Sequence, residues 1–199
     1  MLTQTMDVPR ETSERLEQFV ALVVAENERQ NLVAPASIRD IWARHVEDSA
    51  QLFRFRSKPG RWLDIGSGAG FPGIVLALLS DDPITLAEPR RLRADFLETI
   101  KQALGLGHVT IARSKASALT GRFDYVTARA VASASQLFAM TAHLVHGGTL
   151  FILPKGRSAQ SELAAAQAAW QGVFRLEQSL TSDEAAIIVA QHVRRRGNR

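Results

Sequence analysis

The stretch Arg61-Trp-Leu-Asp-Ile-Gly-Ser-Gly-Ala-Gly-Phe-Pro-Gly-Ile-Val-Leu-Ala-Leu-Leu79 decides the reading of this chain. An apolar run ending at Asp64 turns through Gly66, Gly68 and Gly70 and re-emerges as an apolar helix. Pro72 suits the first position of that helix, where its missing N–H would have had no partner. The unit is strand, glycine loop, helix, the opening of a doubly wound α/β sheet. Glycines let the backbone approach a ligand with no Cβ in the way and allow a sharp turn. A flat, polar ligand is therefore expected over the loop, at the C-terminal edge of the sheet.

What the loop lacks narrows the ligand. A dinucleotide fingerprint needs a third glycine at position 71, where Phe71 stands, and a phosphate-cradling loop would end in Gly-Lys-Ser/Thr rather than Gly70-Phe-Pro-Gly73. The pattern Asp-x-Gly-x-Gly-x-Gly resembles the cofactor loop of S-adenosylmethionine-dependent methyltransferases. Downstream, Pro83-Ile-Thr-Leu-Ala-Glu88 reads as a second strand ending in an acid. That acid lies about 20 residues past the glycines, where such folds place a carboxylate for ribose hydroxyls. The loop, the excluded alternatives and the spaced Glu88 reinforce one another.

On either side the chain alternates. Upstream, Leu16, Phe19, Val20, Val23 and Val24 mark an amphipathic helix over 11–27. A second helix runs from about Ile38, with Ile41, Trp42, His45, Val46, Ser49, Leu52 and Phe53 on one face. Residues 1–56 are expected to form a helical cap and 57–199 the sheet domain, the Pro59-Gly60 turn leading into the first strand. Downstream, helices are predicted over 72–80, 91–104, 133–145 and 159–170. Strands are predicted over 84–88, 108–112, 123–128, 149–153, 173–180 and 186–193, the last two as an antiparallel pair. Arg194-Arg-Arg196 and Arg199 read as a frayed, solvated tail.

Composition sets outer limits. The 199 residues suit one domain with a small appendage, and 46% hydrophobic against 22% charged residues is ordinary globular material. The absence of cysteine excludes disulfides, thiolate metal sites and cysteine nucleophiles. With no apolar leader near Met1 and no membrane-length apolar run, a cytoplasmic protein without metal is expected. A net charge of +4, carried mostly by arginine, is compatible with a polyanionic partner without demanding one.

Several separated motifs resemble the bacterial small-subunit ribosomal RNA guanine-N7 methyltransferases, ribosomal small subunit methyltransferase G. They are Asn27-x-x-x-Asn31-Leu-Val33, His45-x-x-Asp48-Ser49, Leu63–Gly73, Glu88 with Phe96-Leu97, Thr127-Ala-Arg129-Ala130 and Leu153-Pro-Lys155-Gly156. The resemblance implies a Rossmann-like S-adenosylmethionine-dependent methyltransferase with an N-terminal helical cap, acting on 16S rRNA or the small ribosomal subunit. It implies that Gly66, Phe71 and Arg129 line the cofactor pocket and that Ser114 and Lys115 sit by the adenine. Asp64, Gly68, Gly70 and Glu88 complete the expected cofactor set. The chain departs from the family pattern at Lys115, where an acid is usual, at Glu26, where a Trp is usual, and at Leu92-Arg93, where two basic residues are usual.

The implied reaction is consistent with the residues. Guanine N7 attacks with a lone pair that carries no proton, so no general base is needed and orientation dominates. The missing cysteine and the lack of an Asn/Asp-Pro-Pro-aromatic loop after the fourth strand disfavour pyrimidine C5 and exocyclic-amine chemistry. No acid–base residue is assigned. A small-molecule or protein methyltransferase, a dinucleotide-dependent oxidoreductase and a non-catalytic RNA-binding relative are the competing readings.

Arg113, Arg129 and Lys155 each follow a predicted strand at the ligand-bearing edge. Singly each reads as a surface charge; together they would make a basic rim suited to RNA phosphates. Arg90, Arg91 and Arg93 oppose the helix dipole at a cost of about a few tenths of a kcal/mol each, which pairing with Glu88 or RNA contact could offset. His45 and Asp48 read as a structural pair, the acid holding the ring. Trp42, Trp62 and Trp170 read as core. Nothing demands more than a monomer.

Overall fold

In the computed structural model, which describes residues 8–197, seven strands form one sheet. They are β1 (Trp62–Ile65), β2 (Ile84–Ala87), β3 (Val109–Ala112), β4 (Phe123–Ala128), β5 (Val145–Lys155), β6 (Trp170–Gln178) and β7 (Ala186–Arg195), in the order β3-β2-β1-β4-β5-β7-β6. The first five are mutually parallel, and β7 inserts antiparallel to both β5 and β6. The expected antiparallel pair is present. Its order, with the last strand inside and β6 at the edge, follows the apolar run Ile187–Ala190, which is buried and needs cover on both faces.

Alternation along β1 separates the two faces. Trp62 points into a cluster with Tyr125, Ile152, Ile187 and Val189, whereas Leu63 and Ile65 point into a second cluster with Val126, Phe151 and Leu153. Helices α4 (Gly73–Leu79) and α5 (Arg91–Ala103) cover the first face; α6 (Ala134–Thr141) and α7 (Ala159–Ala169) cover the second. The long helix α1 (Arg10–Gln30) packs on α4 and α5, and Leu16, Phe19, Val20 and Val23 join the first cluster. The N-terminal helices thus share a core with the sheet.

After α1 the chain makes one turn of helix, α2 (Pro35–Ile38), then a π-helical segment Trp42–Glu47, the short α3 (Asp48–Ala50) and a 3-10 segment Gln51–Phe55. The expected second helix is thus present but irregular. Tyr125 Oη accepts from the Ser57 and Lys58 amides, and Arg56 makes a two-pronged pair with Asp82 at 2.6 and 2.9 Å. Trp62 Nε1 donates to the same carboxylate, so the linker is strapped to the sheet. Trp62 and Trp170 are buried and Trp42 is half-buried against the first core.

The basic tail is not frayed through Arg196. Arg194 and Arg195 lie in β7 opposite Gln171 and Trp170, and Arg196 bonds the Ala169 and Gln167 carbonyls. Arg199 lies outside the described residues. Among those residues no helix is long and apolar enough to cross a membrane, and no cluster of His, Asp and Glu could hold a metal ion.

Candidate active site

Four neighbouring strands end level. Ile65 pairs with Ala87 and with Ala128, and Ala87 pairs with Ala112. Gly66, Glu88, Arg113 and Arg129 therefore leave one edge of the sheet together. The strand order reverses between β1 and β4, which opens a crevice at that edge. A cavity of about 460 Å³ lies there, lined by Gly66, Gly68, Phe71, Glu88, Arg90, Arg93, Ser114, Lys115, Arg129 and Val131 among others.

The glycine loop is held by its own hydrogen bonds and by Glu88. Gly66 N donates to Ala87 O at 2.8 Å, Gly70 N to Ser67 O at 2.7 Å and Ser67 Oγ to Asp64 O at 3.1 Å. Glu88 accepts from Gly68 N at 3.0 Å and from Arg90 N at 2.9 Å, one bond on each carboxylate oxygen. Its side chain is buried and fixed while still lining the cavity. At Gly66, with φ +68°, an added Cβ would lie 2.5 Å from Val131 Cγ2. The loop surface must stay bare there.

Asp64 and Gly70 stand behind this surface. Asp64 is fully buried, and its Oδ2 accepts from Gly73 N at 3.2 Å, the first amide of α4. Burial pushes its carboxyl up to about 6, against the pull of the Ser67 and Gly73 bonds and of Arg129. Gly70 packs against Ile74 and Phe19. Both residues shape the loop from beneath and line no part of the cavity.

Arg129 is the most constrained cation of the site. Its Nη1 lies 3.4 Å from Asp48 Oδ2 and donates to Arg44 O at 3.3 Å, and its guanidinium lies 5.3 Å from the Phe71 ring centre. Burial lowers its pKa, and the nearby Asp48 opposes that shift. The His45 ring stacks on Phe71 at 5.1 Å. His45 Nε2 bonds Ser37 Oγ at 2.9 Å, and because that hydroxyl donates to Ala34 O, the imidazole nitrogen is the donor. Asp48 does not hold this ring; its oxygens face Arg129, Gln51 and Thr181. Burial, with Arg129 and Arg44 nearby, lowers the His45 pKa to about 4.

The expected rim of three cations is divided. Arg113 is exposed and pairs with Asp95 at 2.8 Å, outside the cavity. Lys155 points inward: its side chain is only 8% exposed, and Nζ donates to Ala132 O at 2.7 Å and faces Glu162 Oε2 at 2.9 Å. It ties down the loop after β4. A second cavity beside the first is lined by Asp48, Lys155, Gly156, Ser179 and Ile187, and shares Arg129, Ala130 and Val131 with it. Val131 and the side chain of Arg93 also line the cavity, and neither is among the residues expected there from sequence. Arg93 stands in the first turn of α5, the helix that follows Glu88, a position that could have flagged it; Val131 carries no such signal.

Comparison with known proteins adds the family. A family model described as rRNA small subunit methyltransferase G matches residues 12–187. The chain belongs to that family. A ribosomal RNA small subunit methyltransferase G of Rhizorhabdus wittichii is 47% identical over 195 residues, covering 96% of this chain and 90% of the relative. The enzyme of the same name from Zymomonas mobilis is 41% identical over 201 residues, covering 96% and 91%. Among solved structures, the PH0226 protein of Pyrococcus horikoshii matches with a TM-score of 0.62 at 12% identity, over 83% of this chain and 95% of that one. MtNAS in complex with S-adenosylmethionine matches at 0.59 and 18% identity, over 90% and 76%. The family membership and these matches agree with the Rossmann-like architecture expected from the glycine loop.

Proposed function

We propose that this chain transfers the methyl group of S-adenosylmethionine to N7 of a guanine in small-subunit (16S) rRNA. The observation that carries the reading is the shared wall Arg129–Val131, which borders both cavities at the switch point. A cofactor on one side and a base on the other would meet across it.

The residues fit the cofactor. The first cavity falls within the roughly 300–1,000 Å³ of small-molecule sites. Glu88, already fixed by two amides, offers its remaining lone pairs to ribose hydroxyls. Ser114 and Lys115 stand at the far strand end for the adenine, and Gly66 and Gly68 give the chain a bare backbone. Phe71 and Val131 supply apolar wall. When bound, S-adenosylmethionine supplies a sulfonium-bound methyl; a bond from N7 to that carbon forms as the carbon–sulfur bond breaks. No proton moves at N7, so these residues have only to orient, neutralise and exclude water. Arg129, held by Asp48, keeps a fixed positive charge by the wall. The reading takes the protein to act as a monomer in the cytoplasm.

The test is transfer of labelled methyl to unmodified small ribosomal subunits, followed by separation of RNA from protein. Label in the RNA supports the reading. Label in ribosomal protein, or none despite cofactor binding, would exclude it.

A further inference from the structure

Beside the cavity mouth the surface carries more positive charge than the fold requires. Arg90, Arg91 and Arg93 open helix α5, and Arg113 and Lys115 follow β3 next to it. Among the described residues, Asp95 is the one half-exposed carboxylate paired within this group, 2.8 Å from Arg113 and 3.7 Å from Arg91. Glu88 is buried on backbone amides. The first turn of α5 has no acidic residue and no side-chain cap, so its cations oppose the helix dipole. In their midst Leu92 is 68% exposed, more than any other large apolar side chain described.

A lone exposed leucine means little, and a group of arginines is often a solvated face. The combination points elsewhere. Guanine N7 lies in the deep major groove of an RNA duplex, which side chains cannot read, so its methylation requires an unpaired or extruded base. Nucleotides flanking such a base lose their stacking partners. They need cations for their phosphates and an apolar surface for an unstacked face, and both stand together here, next to the cofactor cavity.

We infer that Arg91, Leu92 and Arg113 form the docking surface for an RNA strand leading into the active site, with the arginines on phosphates and Leu92 under a neighbouring base. The inference rests on the RNA-methylating function proposed above. Arg91 and Leu92 are highly exposed and Arg113 half-exposed, so substitutions there leave the core intact. None of the three lines the cofactor cavity.

The experiment measures methyl transfer to unmodified small subunits and to protein-free small-subunit rRNA, with binding followed across a potassium chloride series. Arg91→Ala and Arg113→Ala should each raise the KM for RNA several-fold, leave kcat and cofactor affinity unchanged, and flatten the salt dependence by about one unit of log–log slope. Leu92→Ser should raise KM by about three- to tenfold with the salt slope unchanged, as loss of a stacking contact predicts. Wild-type KM and slope in all three variants, with active wild type, would overturn the docking surface alone. Weakening on intact subunits but not on free rRNA would assign the surface to a ribosomal protein and overturn it too. A wild type that transfers no methyl to RNA removes the functional reading and this inference together.

Discussion

Arg129 and Asp48, 81 residues apart in sequence, meet at 3.4 Å and join the loop after β4 to the N-terminal helical segment. Asp48 also accepts from Gln51 at 2.9 Å and from Thr181 at 3.1 Å, and Gln51 reaches Ser179 at 3.0 Å and accepts from Leu180 N at 2.8 Å. One carboxylate thus connects three regions around the wall between the cavities. Asp48→Ala should destabilise by about 1–3 kcal/mol, because Arg129 loses its counter-charge while remaining mostly buried. Urea denaturation gives the loss, and cofactor titration should show weaker binding through a displaced Arg129 and Phe71.

Gly66→Ala separates backbone strain from steric contact. The left-handed backbone costs a residue with a Cβ about 1–2 kcal/mol. The clash with Val131 Cγ2 is relieved only if Val131, 42% exposed, swings away from the wall it forms. The variant should fold and bind S-adenosylmethionine at least about tenfold more weakly, a loss of some 1.4 kcal/mol. Gly66→Ala combined with Val131→Ala should recover part of that affinity. Calorimetric titration of all three proteins measures the recovery; none would place the whole effect in the backbone.

Lys155 illustrates a charge whose position overrules its type. Its inward pairing with Glu162 and Ala132 predicts that Lys155→Ala destabilises by about 2–4 kcal/mol, the consequence of leaving a partly buried carboxylate without its partner. The salt dependence of RNA binding should keep its wild-type slope, since no phosphate contact is lost. Thermal melting and a salt titration together check this. A stable variant with a flattened slope would return Lys155 to the rim.

Asp64 and His45 predict opposing pH effects. The Asp64 pKa, raised from 3.8 to about 6, means that the native state holds a proton the unfolded chain releases. Its contribution to stability therefore falls as pH rises from about 4 to 6, by at most about 3 kcal/mol. The His45 pKa, lowered from 6.5 to about 4, acts in reverse: stability is lost as pH falls through that interval. The two slopes partly cancel in the native protein. Asp64→Asn should expose the His45 slope, with stability dropping toward pH 4, and His45→Gln should expose the opposite one. Denaturation midpoints at pH 4, 5, 6 and 7 distinguish them.

The sheet and the cofactor loop were legible because they rest on local signals. Apolar runs bounded by Gly, Pro and acidic residues placed all seven strands, and β4 fell on residues 123–128 as expected. Glu88 followed from its spacing past the glycines at the end of the second strand, and Gly66 from the glycine loop and the family resemblance. What was hidden depends on contacts between distant residues. The inward turn of Lys155 is set by Glu162 on α7, and the partnership of Asp48 by Arg129 in the loop after β4. Residues 42–47 offered a helical stripe, and they are helical but wound as a π-helix, a difference that no local signal marks. The inner position of β7 shows only in how its burial compares with that of β6, whose Val173 is 56% exposed.

Methylation at N7 can be read at the modified atom itself. Small-subunit RNA methylated by the enzyme would be treated with borohydride and aniline, which breaks the strand at 7-methylguanine, and the break mapped by primer extension. Scission is expected at one guanine, dependent on S-adenosylmethionine and abolished by Arg129→Ala. Methyl incorporation into the RNA without scission would contradict N7 as the target and place the chemistry on another atom.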